Sequence, residues 1–219
     1  MTAFLGFADL FAEKLCFSDN LERLLAALPL IKMLTPEKLE QIGERYGQYA
    51  SWAIWNASDI NDTSMIEAQP HELRTDVVMV GLNVSADISG RRWTNFHAGR
   101  NDHKLTMAFN ESRFRGAYMT DIVKSLVMVK ATDVMKGIRR GDVNIAEHAE
   151  TFREEMRFIG EDRERLFFLF GRDAVSIFEK HLARSFPNFV RCEHFACYRK
   201  KEDWLRDLWL AIDRDESQA

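Results

Sequence analysis

Apolar residues first recur at helical spacing. Phe4, Phe7, Leu10, Phe11 and Leu15 predict a helix over 3–15; Leu21, Leu24, Leu25 and Leu28 predict a second over 19–28, capped by Ser18 or Asp19 and ended by Pro29. Thr35 precedes Pro36, a cap residue before a proline at the first helical position, which starts a third helix to about Tyr49. The stretch 49–55 holds Tyr49, Trp52 and Trp55. Its expected role is to pack this N-terminal helical layer onto the rest. An exposed handle for an interaction module at Trp52 and Trp55 is the alternative.

Beyond the polar connection 56–75 the pattern changes. Residues 77–81 form a short, continuous apolar run ending in glycine, as in a strand buried on both faces. Further strands are expected at 116–121, 166–171 and 189–194, with helical stretches near 102–111, 122–136, 145–158, 172–184 and 201–213. Strands alternating with helices predict an α/β protein, a three-layer α/β/α sandwich with a four-stranded, mostly parallel sheet plus N-terminal helices. Right-handed crossovers place the carboxyl ends of parallel strands on one edge, where ligands bind. Asn83, Asp121 and His194, from three different strand ends, should therefore converge on one cleft.

At 219 residues the expected organisation is a single domain over 1–219, with a helical layer over 1–70 and the α/β core over 71–219. Apolar residues are 46% and charged residues 29%, which excludes a disordered chain. Three cysteines, Cys16, Cys192 and Cys197, exclude a disulfide scaffold, and their odd number suits a reducing compartment. The longest apolar run is far short of a membrane span. The first residues lack a basic stretch and carry Asp9, against a signal peptide. A cytoplasmic protein is expected.

The net charge of −4 hides an asymmetry. Residues 1–70 carry 5 basic and 10 acidic residues, whereas 88–140 carry 11 basic against 4 acidic, a local balance of +7. Such a segment can neutralise phosphates in an acidic protein, although charge alone favours the plainer reading of a solvated face.

The strand ends, in this order, resemble the uracil-DNA glycosylase superfamily. Gly81-Leu82-Asn83-Val84-Ser85 is similar to its first motif, in which a proline and a glycine follow the asparagine. Residues 117–124, with Tyr118, Thr120, Asp121 and Lys124, resemble the Tyr-Ile-Thr-Asn-Val-Val-Lys stretch of its thermophilic branch. Phe96-His97-Ala98-Gly99 is similar to that branch's Phe-Val-Gly-x-Ala-Gly segment. Leu169-Phe170-Gly171-Arg172 resembles the third strand and its turn, and His194 falls where the superfamily has His-Pro-Ser. The likeness covers 77–198, about half of the chain. Val84, Ser85 and Asp121 depart from the pattern, His194 lacks the Pro-Ser, and the cluster cysteines are absent, so no iron–sulfur cluster or other cofactor is expected.

The resemblance implies hydrolysis of the N-glycosidic bond of a damaged or deaminated base flipped out of DNA, by a monomer with no membrane association. That chemistry needs an extruded base, a positioned water and stabilisation of the departing base. Asn83 would orient the water and the sugar, and Asp87 is the nearest carboxylate able to take a proton. His194 would donate a hydrogen bond from a neutral imidazole. Phe96 would stack on the base, and Gly81, Leu82 and Ser85 would shape its seat. Arg91, Arg92, Arg100, Lys124, Arg199 and Lys200 would meet the backbone phosphates.

Asp121 stands where the superfamily's asparagine presents an acceptor and a donor. An ionised aspartate offers acceptors only, so canonical uracil activity is expected to be weak. Bases with an amino group beside a ring N–H suit it, as does cytosine when the carboxyl is protonated. Structural roles compete at each position: a turn cap for Asn83, backbone bonding for His194, core packing for Phe96, a tie to Lys124 or a helix end for Asp121. His97, Asp102 and His103 lack the spacing of a metal site, and none is expected. The rival functions are a catalytically silent binder of nucleic acid or nucleotides, and a small-molecule (nucleoside) hydrolase using the same cleft.

Overall fold

The computed structural model describes residues 34–84, 91–97, 99, 101–124, 127–128 and 130–216. They fall within one compact unit, Met33–Ala219. The helices expected over 3–15 and 19–28 lie outside the described residues, as does the start of the single domain expected over 1–219.

Helix α1 spans Pro36–Tyr46, with Thr35 accepting a hydrogen bond from the Lys38 amide as its cap. Strand β1 is the pair Ser51–Trp52, and α2 is Ser64–Ala68. Then follow β2 (Arg74–Asn83), α3 (Asp102–Phe109), β3 (Ala117–Val123), α4 (Ala131–Arg140), α5 (Ile145–Ile159), β4 (Leu166–Phe170), α6 (Arg172–His181), β5 (Phe189–Cys192) and α7 (Lys201–Glu216). The sheet order is β1-β3-β2-β4-β5, parallel except for β1, which pairs antiparallel with β3.

The expected α/β class holds, and the expected four strands are five. The fifth, β1, lies in the segment 49–55, whose expected role is only to pack the helical layer onto the rest. Trp52, Ala53, Ile54 and Trp55 are all buried, so no alternation of exposed and buried positions marks it as a strand.

The helix expected over 122–136 is also corrected. Ile122 and Val123 are β-branched, fully buried and continue β3 alongside Asn83, so the helix begins only at Ala131. It runs past 136 to Arg140, where Gly141, in the left-handed conformation with φ 83°, stops it.

Two apolar cores occupy the two faces of the sheet. Val78, Val80, Tyr118, Phe167 and Leu169 pack with residues of α1, α4, α5 and α6 on one face. Val77, Met79, Met119, Phe168 and Phe170 pack with α3 and α7 on the other. The strands alternate at every position yet find apolar partners on both sides, which explains their unbroken apolar runs. The result is three layers, helices on either side of the sheet. Among the described residues no helix is long and apolar enough to cross a membrane.

Candidate functional site

A cleft of about 620 Å³ opens at the carboxyl edge of the parallel strands. Gly81, Leu82 and Asn83 from β2, Asp121 from β3, Phe96 from the β2–α3 connection and His194 after β5 all line it. The strand-end reading therefore brings its residues together. Ser85, Asp87 and Arg100 lie outside the described residues. The beginnings of α3, α4 and α6 also reach the cleft, through Asp102, Ala131 and Arg172. Helix starts present free N–H groups and a positive dipole end, so this edge favours negative charge.

Asp121 and Gly81 are register partners in β3 and β2 and face the cleft side by side. A Cβ at Gly81 would collide with Asp121 Oδ1 and would sit 3.5 Å from the Phe96 ring, so only glycine leaves room for the carboxyl here. Asp121 is 2% exposed. Its Oδ2 accepts a hydrogen bond from Asn95 Nδ2 at 2.8 Å. Desolvation raises its pKa to about 6; the bond from Asn95 and the charge of Lys124 oppose this, while Glu155 and Asp102 add to it.

Asn83 donates from Nδ2 to the carbonyls of Val84 and Met128, both at 2.8 Å. Both amide hydrogens are engaged by backbone carbonyls. The turn-capping role weighed for Asn83 is thus realised by its nitrogen.

His194 Nδ1 accepts the Ala196 N–H at 3.0 Å, which places the imidazole proton on Nε2 as a donor. Burial lowers the His194 pKa and keeps the ring neutral. The ring stacks on Phe195 at 4.5 Å and presses on Gly171, where a Cβ would lie 3.0 Å away.

Phe96 has φ 65°, as does Trp93, an unusual conformation for aromatic residues that the surroundings must enforce. Those surroundings come from segment 47–55. Trp93 N–H donates to the Gly47 carbonyl at 2.8 Å, Ser51 Oγ to the Trp93 carbonyl at 2.7 Å, and Trp55 Nε1 to the Phe96 carbonyl at 3.3 Å. Asn95 Nδ2 also donates to the Tyr49 carbonyl at 2.6 Å. His97 is fully buried under Trp55, with its Nε2 3.1 Å from the Trp52 carbonyl and its pKa lowered to about 4 by burial. Trp52 and Trp55 are therefore scaffold for the cleft loop, and both are buried, which corrects the alternative of an exposed handle.

The basic rim is smaller than the charge count suggests. Lys124 is no phosphate contact: it is 4% exposed and pairs with fully buried Glu155 at 2.5 Å. Glu155 also accepts from Tyr118 at 2.7 Å and Thr120 at 2.9 Å. The competing tie of Asp121 to Lys124 does not form: Asn95 bonds to the one and Glu155 pairs with the other. Lys104 is buried as well and donates to the Cys197 and Arg199 carbonyls at 3.0 and 3.2 Å, fastening the loop after His194 to α3. Arg92 pairs with Glu40, and Arg199 with Glu193 and Asp207. Arg91 and Lys200 are exposed.

Sequence reasoning passed over Asn95 and gave no site role to Asp102 or Arg172, although it named both. Arg172 stands at a predicted strand end, and the structure places it on the cleft lining. Asp102 accepts the Gly99 N–H at 2.7 Å and lines the cleft. Asn95 carries no local signal, because its role is its bond to a residue 26 positions away. Among the described residues no group of three or more His, Cys, Asp or Glu side chains is arranged to hold a metal ion. The chain matches no protein-family model, no curated protein and no solved structure.

Proposed function

We propose that this chain is a divergent uracil-DNA glycosylase-like hydrolase, acting as a cytoplasmic monomer on a base flipped out of DNA into the strand-end cleft. The observation that carries this reading is the meeting of Asn83, Phe96, Asp121 and His194, from four separate segments, around one cleft large enough for a nucleobase. Phe96 would stack on the extruded base, a contact worth ~1–3 kcal/mol. Asn83 Oδ1 would hold the attacking water. The water oxygen bonds to the sugar C1′, the C–N electron pair leaves with the base, and a water proton passes to a carboxylate, for which Asp87 is the candidate. His194 Nε2–H would stabilise the charge gathering on a base oxygen, helped by the three helix starts. Arg91, Arg92, Arg199 and Lys200 would meet the phosphates, two of them in exchange for their present ion pairs.

The test is a cleavage assay on labelled single- and double-stranded oligonucleotides carrying uracil, hypoxanthine, xanthine or cytosine. Alkali-labile strand breaks are expected in the wild type and absent in Asn83→Ala, with uracil a poor substrate. A melting curve shows whether the variant, which loses two backbone ties, still folds. Breaks that persist in a folded Asn83→Ala would remove Asn83 from the mechanism. No cleavage of any base would move the reading to a silent nucleic-acid binder or to a nucleoside hydrolase.

A further inference from the structure

Asn95 has no part in the roles assigned so far, yet it decides which atoms the cleft floor offers. One of its amide hydrogens goes to the Tyr49 carbonyl and the other to Asp121 Oδ2. The Asn95 side chain therefore has no N–H left for a ligand, and it pins the Asp121 carboxyl by one oxygen. The other oxygen, Oδ1, takes the space that a side chain at Gly81 would fill, in a carboxyl that lines the cleft. The Phe96 ring borders the same space. Floor and wall thus differ in kind: Asp121 accepts, whereas His194, with its proton on Nε2, donates.

We propose that Asn95 is a specificity-determining residue, holding Asp121 so that the cleft selects an amino-bearing nucleobase whose exocyclic N–H donates to Asp121 Oδ1 while a ring carbonyl faces His194. The assignment rests on the reading of the cleft as a base site and names the class of base that it takes. A base with a carbonyl at that edge sets two oxygens against each other and leaves a buried acceptor unpaired, a loss of about tenfold or more in affinity. Tyr49 belongs to the assignment too, since its carbonyl fixes the Asn95 amide in the orientation that makes the floor accept.

The test separates base choice from bond cleavage. The full chain is titrated calorimetrically at pH 7.5 with two matched pairs, deoxycytidine against deoxyuridine and deoxyguanosine against deoxyinosine. The members of each pair differ at the amino-bearing edge. The amino-bearing member is expected to bind about tenfold tighter in both pairs. Asp121→Asn should reverse the first preference, because its amide supplies a donor. Asn95→Ala should narrow the preference without abolishing binding, which a merely structural role for Asn95 would not do. Equal affinities, a preference for deoxyuridine or deoxyinosine, or no binding of any member in the wild type overturns the proposal. So does a folded Asp121→Asn with an unchanged preference. The wild-type comparison decides alone where a variant does not fold. Because binding is read here, absence of cleavage in the oligonucleotide assay refutes the hydrolase reading and leaves this one to the titration.

Discussion

Two buried residues titrate in opposite senses. Asp121 is raised from 3.8 to about 6, so the folded state holds its proton more tightly than the unfolded chain. Its contribution is full below pH 3.8 and is lost as pH rises through 6, a change of about 3 kcal/mol. His97 is lowered from 6.5 to about 4, so its contribution is present above pH 6.5 and lost as pH falls toward 4, by a similar amount. The two slopes nearly cancel between pH 4 and 6.5. Urea unfolding should therefore show little pH dependence from this pair in the wild type. Asp121→Asn should expose the His97 slope, with stability falling by roughly 3 kcal/mol from pH 7 to pH 4. Asp121 is faced by Lys124 at the end of its own strand, by Glu155 from α5 and by Asp102 from α3. Equal pH profiles for wild type and variant would mean that folding leaves the Asp121 pKa unshifted. The special position of Asp121 was legible in the sequence, as a strand-end carboxylate. Its pairing with Asn95 was not, because a hydrogen bond across 26 residues leaves no periodic trace.

At the scale of elements, β3 and α5 are joined by a charged group inside an apolar core. Lys124 and Glu155 pair on the face filled by Tyr118, Phe152 and Met156. Desolvating two charges offsets most of their attraction, so the pair adds little net stability, but removing one partner leaves a buried charge unmatched. Lys124→Met is expected to destabilise by ~3–5 kcal/mol, and Lys124→Met with Glu155→Leu by clearly less, read from denaturant midpoints. Additive losses would show that the two side chains act independently. In the sequence, Lys124 counts as one more basic residue of 88–140. Burial removes it, with Lys104, from the surface, and nothing local distinguishes a buried lysine from a solvated one. Strand β1 escaped for a related reason. Two residues are too few for a period, and its existence depends on the edge of β3 that it meets.

Across the whole molecule, few of the cations assigned to the phosphates stay unpaired and exposed, even with cleft-lining Arg172 added to them. Arg91, Arg172 and Lys200 are exposed with no ion pair among the described residues, whereas Arg92 and Arg199 are already paired. Three phosphate contacts on a single strand give a salt slope of about 2, so affinity should fall by about tenfold to twentyfold between 50 and 200 mM salt. Fluorescence anisotropy with a labelled single-stranded oligonucleotide measures this. A slope near zero would favour a free nucleoside as ligand, and a slope several times steeper would mean that the paired arginines open toward the strand.

The sequence by itself determined that strands and helices alternate and which residues stand at the strand ends. Both follow from local periodicity and from the fixed hand of the crossovers, so Asn83, Asp121 and His194 could be set on one edge before any coordinate. Only the tertiary structure decided which polar groups those residues meet. Segment 47–55 enforces the left-handed turns at Trp93 and Phe96, Asn95 takes one oxygen of Asp121, and Ala196 fixes the His194 tautomer. The physical reason lies in the kind of interaction. Apolar burial is non-directional and is written as a repeating pattern along the chain, whereas a hydrogen bond joins two particular atoms that only the completed fold brings within 3 Å.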